Sequence, residues 1–534
     1  MKRIHFFALS ILAAISLASC GNEDAAQGLL TEKTEDLTGL TEFAPQETAS
    51  SSATRTTGEY GTNSLSFYWT KGDKIWLHDE TATPKLVQSI RDNIESQAQA
   101  SGVNKVAHAR FYFPDTFKKA KYPVRYTGYG NPVGDKVTIK NVQAQAKPNQ
   151  GEHIGTDGDC GVGVASRGSD GRYTFTLSHQ AAYLTFTPYH SKAFSSDVKV
   201  TKIKVTANQA LAGTFDFNDN GIVLSSRPAA NESNKSITLT LNGGGNNGFN
   251  VPTAASVTEN AAIMVLAPGC YTNFIVQYTI YDTRTKVCGT VCKNYGSIKL
   301  TAGKNRRVTI DLCLQRYDRN LYYMWDAKAG EHYWKGVANP PSLLDETNAN
   351  YPKTSSDSRW FNPVDYNTPA SYTAKNNPNA NELLWLLRYG NAHWDNSTWT
   401  IMGHLYRGGM WLKKLDVIAK ELGKTRAQMK ATSPNNIDFT KIQNQNFEAF
   451  VQDNHTVTRG KPAKQSDYFY LPAAGHFTLG KFMKVGVRGY IWSSTPRPKG
   501  TTSIPQGYNL YVSESGVHTG YGDRTNGFYL CPAH

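Results

Sequence analysis

Three kinds of side chain in this 534-residue chain could carry chemistry: thiols, carboxylates and imidazoles. Cys20 closes a short leader, in which Met1-Lys2-Arg3 is basic and Ile4 to Leu17 is apolar apart from His5, Ser10 and Ser16. Basic, apolar, then small residues (Ala18-Ser19) make a secretory signal. The run is too short to span a bilayer comfortably. The six later thiols are Cys160, Cys270, Cys288, Cys292, Cys313 and Cys531, too few for a dense disulfide framework. Cys288 and Cys292 sit on one expected strand, roughly 13 Å apart, too far for a mutual disulfide. No His or Cys cluster surrounds them, so zinc is not expected. Buried thiols are the first reading, and a cross-strand bond to Cys270 or Cys313 is the second. Glu331, Glu382, Asp395 and Asp467 are scattered, and no hydrolytic pair can be assigned from spacing. His393, His404, His455, His476 and His518 lack metal-type spacing, so solvated or hydrogen-bonded rings are expected. No Gly-rich phosphate loop follows a strand. The expectation is a non-enzyme with no cofactor and no metal.

Leu17-Ala18-Ser19-Cys20-Gly21 resembles a bacterial lipobox. The resemblance implies that Cys20 is the first mature residue and carries lipid, palmitate included. Each buried methylene would add about 0.8 kcal/mol of membrane affinity. An ordinary cleaved signal with Cys20 incidental is the alternative. The expected place is the cell surface, as an outer-membrane lipid-anchored precursor. The net charge of +14 is spread thinly, in runs no longer than pairs such as Lys413-Lys414 and Arg306-Arg307. Nucleic-acid binding would cluster it, so no nucleic-acid partner is expected. Attraction to an acidic surface or polysaccharide competes with a simply solvated basic surface.

The elements that would position such residues are mostly strands. Residues 21–55 read as a polar tether or propeptide with Arg55 alone in a Ser/Thr-rich stretch, where proteolysis concentrates. Leu65, Phe67 and Trp69 then alternate with polar neighbours. Lys71-Gly72-Asp73 is a turn, and Ile75 and Leu77 start a returning strand. Tyr173–Leu177 and Ala182–Phe186 are expected to form a hairpin. Val198–Val205 alternates, with a slip near Thr201. Strands continue at 236–241, 262–266, 274–280 and 307–312, which predicts two β-sandwiches with a joint near 190–197.

The tether with Arg55, Phe67-Tyr68-Trp69-Thr70-Lys71-Gly72-Asp73-Lys74-Ile75, Leu177-Ser178-His179-Gln180-Ala181-Ala182-Tyr183-Leu184, Leu211-Ala212-Gly213-Thr214-Phe215 and Leu300-Thr301-Ala302-Gly303-Lys304 together resemble the fimbrillin family of Bacteroidetes surface pili, over roughly residues 20–313. That resemblance implies two transthyretin-like or Greek-key sandwiches, proteolysis at Arg55, and partnership with other fimbrillin subunits by β-strand donation. Leu37, Leu40 and Phe43 are the candidate apolar residues of a displaced strand.

Past residue 316 aromatics become frequent. Asn381–Leu387 reads as a short helix and Lys413–Met429 as a second, followed by strand-like segments at 468–473, 489–494 and 507–512. Gly403-His404-Leu405-Tyr406-Arg407-Gly408-Gly409-Met410-Trp411, Tyr470-Leu471-Pro472-Ala473-Ala474-Gly475 and Tyr490-Ile491-Trp492-Ser493-Ser494 resemble the Fibrobacter-type major paralogous domain, a C-type-lectin-like α+β fold. The usual Arg of the last strand is missing from Gly527–Cys531. Oxidative chemistry of the formylglycine-generating relatives needs paired thiols, and this region holds only Cys531. The Glu-Pro-Asn, Gln-Pro-Asp and Trp-Asn-Asp calcium motifs of related lectins are absent. Trp394, Trp399, Tyr508 and Tyr511 are read as surface aromatics. Arg497 and Lys499 are placed in an exposed loop that either binds an unknown glycan or protein or merely connects.

The divisions are then 1–20 signal, 21–55 propeptide, 56–195 and 196–313 sandwiches, and 317–534 lectin-like domain. The expected role is a pilus tip adhesin, with a non-assembling surface lipoprotein that binds glycans as the alternative.

Overall fold

A computed structural model describes residues 37–46, 57–61, 65–102, 105–114, 116–441, 447–498 and 504–531. Cys20, Arg55 and Lys499 lie outside the described residues. Strands take 40% of the chain and helices 11%, so the fold is mainly β, as expected.

The first sheet has nine strands. Its path runs Leu86–Gln88, Trp76–His78, Lys121–Tyr126, Gly161–Arg167, Tyr173–Phe175, Leu40–Pro45, Phe111–Pro114, Arg91–Asp92, with Ser178–His179 beside Gly161–Arg167. Its core is aromatic: Phe43, Trp69, Phe111, Phe113, Tyr122, Tyr126 and Tyr173 are all buried. The second layer system pairs a six-stranded sheet, centred on Val198–Thr206 and Ile275–Asp282, with the sheet Ala262–Leu266, Ala182–Tyr189, Asn305–Asp311. The slip in Val198–Thr206 is present, as a register shift between Val200 and Lys202.

Local alternation was readable, whereas pairing was not. Leu65–Thr70 alternates as expected, yet Leu65 and Phe67 enter the second core and Trp69 the first. The turn at Gly72 (φ +92°) exists, but no hairpin follows. Leu65–Thr70 pairs with Thr57–Tyr60 and Lys105–Val106, while Trp76–His78 pairs with Leu86–Gln88 and Lys121–Tyr126. The buried Asp73 carboxylate accepts from Thr70 N at 2.8 Å and from Tyr126 Oη at 2.8 Å, which redirects the chain into another sheet. Tyr173–Phe175 and Ala182–Tyr189 form no hairpin either. The latter is buried at all but its last position and pairs in parallel with Asn305–Asp311. A run buried on both faces needs a covered central place.

The expected joint near 190–197 is therefore not where the sheets divide. Lys136–Ile139 already pairs with Gly213–Asn218, and Val142–Gln145 with Ser236–Leu241. The two sandwiches interlock.

Buried residues from Tyr322 to Tyr529 form a third core. The helix Ala380–Tyr389 starts with an Asn379–Glu382 capping box, which satisfies two of its free N–H groups. The single helix expected over Lys413–Met429 is three elements: the strand Gly409–Lys413, the helix Leu415–Glu421 and the helix Arg426–Ala431. Gly423 (φ +63°) stops the first helix and Thr425 caps the second. The long segment between Met324 and Asn379 is pinned by charge. Asp326 accepts from Asn362 Nδ2 (2.7 Å) and from the N–H groups of Ser371 (2.7 Å), Tyr372 (2.7 Å) and Ala374 (3.0 Å). The buried Arg524 lies 4.1 Å over Trp325 and donates to the carbonyls of Asn362 and Val364. Burial brings its guanidinium down to about 10.

Candidate functional site

The segment preceding Arg55 carries the most informative element. Leu40–Pro45 lies inside the first sheet. It runs antiparallel to Phe111–Pro114 and parallel to Tyr173–Phe175, so Phe43 stands between Phe111 and Tyr173. The Phe43 ring stacks on Tyr173 at 4.4 Å and meets Phe113 and Phe117 edge-on at 5.1 and 5.4 Å. Gln46 N donates to Phe175 O at 2.8 Å. Of the three apolar candidates only Phe43 is buried; Leu40 is half-buried and Leu37 is exposed. A strand buries every second residue, so Pro45 joins Phe43 on the core side, whereas Leu37, Leu40 and Phe43 recur at a spacing of three. Leu37 also precedes the turn at Gly39 (φ +80°).

The aromatic surface candidates are corrected by burial. Trp394, Trp399 and Tyr508 are in the third core. Trp394 Nε1 donates to Asn396 Oδ1 at 2.8 Å, Trp399 Nε1 to Gly408 O at 2.9 Å, and the Tyr508 ring packs 4.3 Å from Phe450. Tyr511 is half-buried, stacked on His518 at 4.5 Å with Arg488 at 4.7 Å. Arg497 is buried as well: its N–H reaches Gln506 O at 3.0 Å, its guanidinium reaches the Gln506 side chain, and Tyr521 lies 3.7 Å beneath it. The strand Arg488–Pro496 carries the chain inward there, so Arg497 is no surface hook. These residues do not converge on one exposed face.

The thiols depart from the first reading too. Cys160 is buried, but Cys270, Cys288, Cys292 and Cys313 are exposed, and all six described cysteines are free. Cys288–Asn294 is the last strand on its sheet path, and Thr398 packs against it at Gly289. Among the described residues no group of three His, Cys, Asp or Glu could hold a metal ion.

A bond between distant parts of the chain, not signalled by any motif, fixes the third core to the second. Asp282, at the end of Ile275–Asp282, is fully buried. Its Oδ2 lies 3.0 Å from His404 Nδ1 and accepts from Leu405 N at 2.9 Å. Burial alone would raise this carboxyl. The bonds from His404, Leu405, Arg284 and Thr285 outweigh it and hold the group at about 2. Ser195 N donates to Gly403 O at 2.8 Å, and Leu405 is buried in the second core. The Gly403–Tyr406 stretch is thus a docking device between domains.

No protein-family model and no curated protein matches the chain. Among solved structures, a candidate cell-adhesion protein from Bacteroides ovatus aligns at TM-score 0.28 and 13% identity, over 46% of this chain and 84% of that one. Another from Bacteroides uniformis aligns at 0.27 and 14%, over 49% and 95%. A fimbrial protein from Bacteroides ovatus aligns at 0.24 and 10%, over 88% and 94%. Superpositions this loose carry no argument about fold or role.

Proposed function

We propose that the chain is a fimbrial tip subunit and adhesin. It is lipidated on Cys20, cut after Arg55, and incorporated by accepting a neighbour's strand. It binds its ligand through residues 317–534. The position of Leu40–Pro45 carries this reading. It belongs to the segment before Arg55, yet it fills an inner place in the first sheet. Cutting after Arg55 disconnects it from the rest of that sheet. Once it leaves, two strand edges and an apolar slot for Phe43 and Pro45 are open. A neighbour's strand satisfies both by β-augmentation, with main-chain bonds for affinity and alternate side chains for fit. The third domain supports the tip position, because Gly527–Tyr529 is paired on both sides by Tyr322–Tyr323 and His476–Thr478. Among the described residues, the last strand of that sheet in chain order has neither side open to a neighbour.

The test is incorporation. Arg55→Ala should leave the monomer folded but absent from fimbriae, and N-terminal sequencing of assembled wild type should begin at Thr56. Normal incorporation of the variant, or a lipidated Cys20 start in polymerised material, would count against assembly. It would favour a non-assembling surface lipoprotein that binds glycans.

A further inference from the structure

The third domain meets the second sandwich around an open cleft of about 550 Å³. Lys192, Arg316 and Arg319 project into it, and no carboxylate lines it. None of the three has an ion pair among the described residues. The walls are fixed by backbone bonds. Arg316–Tyr317 pairs with Thr400 and Ile401, Thr400 N donates to Gln315 O at 2.9 Å, and Ser195 N is tied to Gly403 O. The Asp282–His404–Leu405 bonds hold the two domains in register. All three are exposed, so water screens their mutual repulsion, and a bound anion would meet their positive field.

A second depression, of about 540 Å³, shares Ala338 and Asn339 with the first. Its character differs. Its cations are already matched, Lys335 with Glu331 and Arg359 with Asp357. The rest of its lining includes the amides Asn339, Asn348 and Asn350. Amides both donate and accept, which suits hydroxyl groups. A uniformly charged polymer such as nucleic acid would leave phosphates facing these uncharged amides. A lone small anion would leave most of the joined space empty.

We propose that the two depressions form one track for an acidic oligosaccharide, with its carboxylate or sulfate groups at Lys192, Arg316 and Arg319 and its neutral hydroxyls at Asn339 and Asn350. The half-buried Phe194 and Met402 give the sugar an apolar contact on the cationic side. The proposal deepens the adhesin reading and rests on it only for where such a sugar is met.

The test is calorimetric titration of the purified full-length chain. The probes are a tetragalacturonate, its neutral methyl ester, a sulfated tetrasaccharide and inorganic sulfate. At least one acidic tetrasaccharide should bind, with the neutral ester and inorganic sulfate at least about tenfold weaker. Arg316→Ala/Arg319→Ala should lose at least about tenfold, the loss of one or two charge-assisted bonds, at unchanged melting temperature. Lys118→Ala/Arg172→Ala, which removes two exposed charges near the first sheet, should bind as wild type. Binding unchanged in the Arg316/Arg319 variant, equal affinity for the ester, or no binding of either acidic tetrasaccharide would overturn the proposal. Equal affinity for inorganic sulfate would reduce the site to an anion site and overturn it as well. Failure of the adhesin reading would show instead as absence from fimbriae, which this titration does not measure.

Discussion

Leu40–Pro45 and Gly527–Tyr529 occupy equivalent places in their sheets. Each is paired on both flanks, and each buries one phenylalanine, Phe43 or Phe528. Phe528 stacks on Trp492 at 3.8 Å, much as Phe43 stacks on Tyr173. The difference lies in what each would leave behind. Beside Gly527–Tyr529, the buried Arg524 and Asp326 tie the loops at 362–374 to the sheet. Pulling the chain out from Arg524 onward takes its guanidinium away from the carbonyls of Asn362 and Val364, a cost an incoming peptide without such a side chain would not offset. Around Leu40–Pro45 the burial is apolar, and the charged contact of its Glu42 with Arg110 is 3.8 Å long. Its departure leaves strand edges and an aromatic slot, both of which another strand can fill.

The largest effect expected from this contrast is at Asp326. Asp326→Ala would orphan the backbone N–H groups of Ser371, Tyr372 and Ala374 and leave the Asn362 amide only its bond to Ser371 Oγ, at a cost of about 5 kcal/mol. In denaturant titrations followed by hydrogen exchange, the third core should open first and the first sheet should keep its midpoint. Equal loss in both would erase the contrast. Next comes Phe43→Ala, at about 4 kcal/mol for a truncated buried phenylalanine. Here protection should fall in Leu40–Pro45 and its two neighbours and stay unchanged from Tyr322 to Tyr529.

A smaller effect, at the interface between domains, depends on pH. Asp282 is held at about 2, below the ordinary carboxyl value. A carboxyl lowered by folding contributes stability that is complete above its ordinary value and is lost as pH falls through the folded one. Protection of Gly403–Tyr406 should therefore decline between about pH 4 and 2 in the wild type. Asp282→Asn should start lower at neutral pH and show no decline over that window.

Several of these elements were legible in the sequence and others were not, for identifiable reasons. Val198–Thr206 and Leu65–Thr70 were readable because alternation is local. Their partners were not, because Asp73 and the two-sided burial of Ala182–Tyr189 are facts about distant chain. Leu415, Ile418 and Ala419 do face the core at helical spacing, but that periodicity runs past Gly423, where the helix ends. Trp394, Trp399 and Tyr508 look like an adhesive surface in the sequence because burial depends on which loops cover a ring. Arg497 was misplaced for the same reason. Asp282 and His404 lie 122 residues apart, and no motif connects them.

The proposed exchange of Leu40–Pro45 can be tested without any pilus. Limited trypsin digestion of the purified precursor, selected by mass spectrometry for a single cut after Arg55, yields a nicked protein. A fluorescent peptide covering Thr38 to Gln46 is then added in excess. The peptide should exchange into the nicked protein and not into the intact one, and its Phe43→Ala version should fail to enter. A nicked protein that retains its own Leu40–Pro45 and takes up no peptide would contradict assembly through that slot.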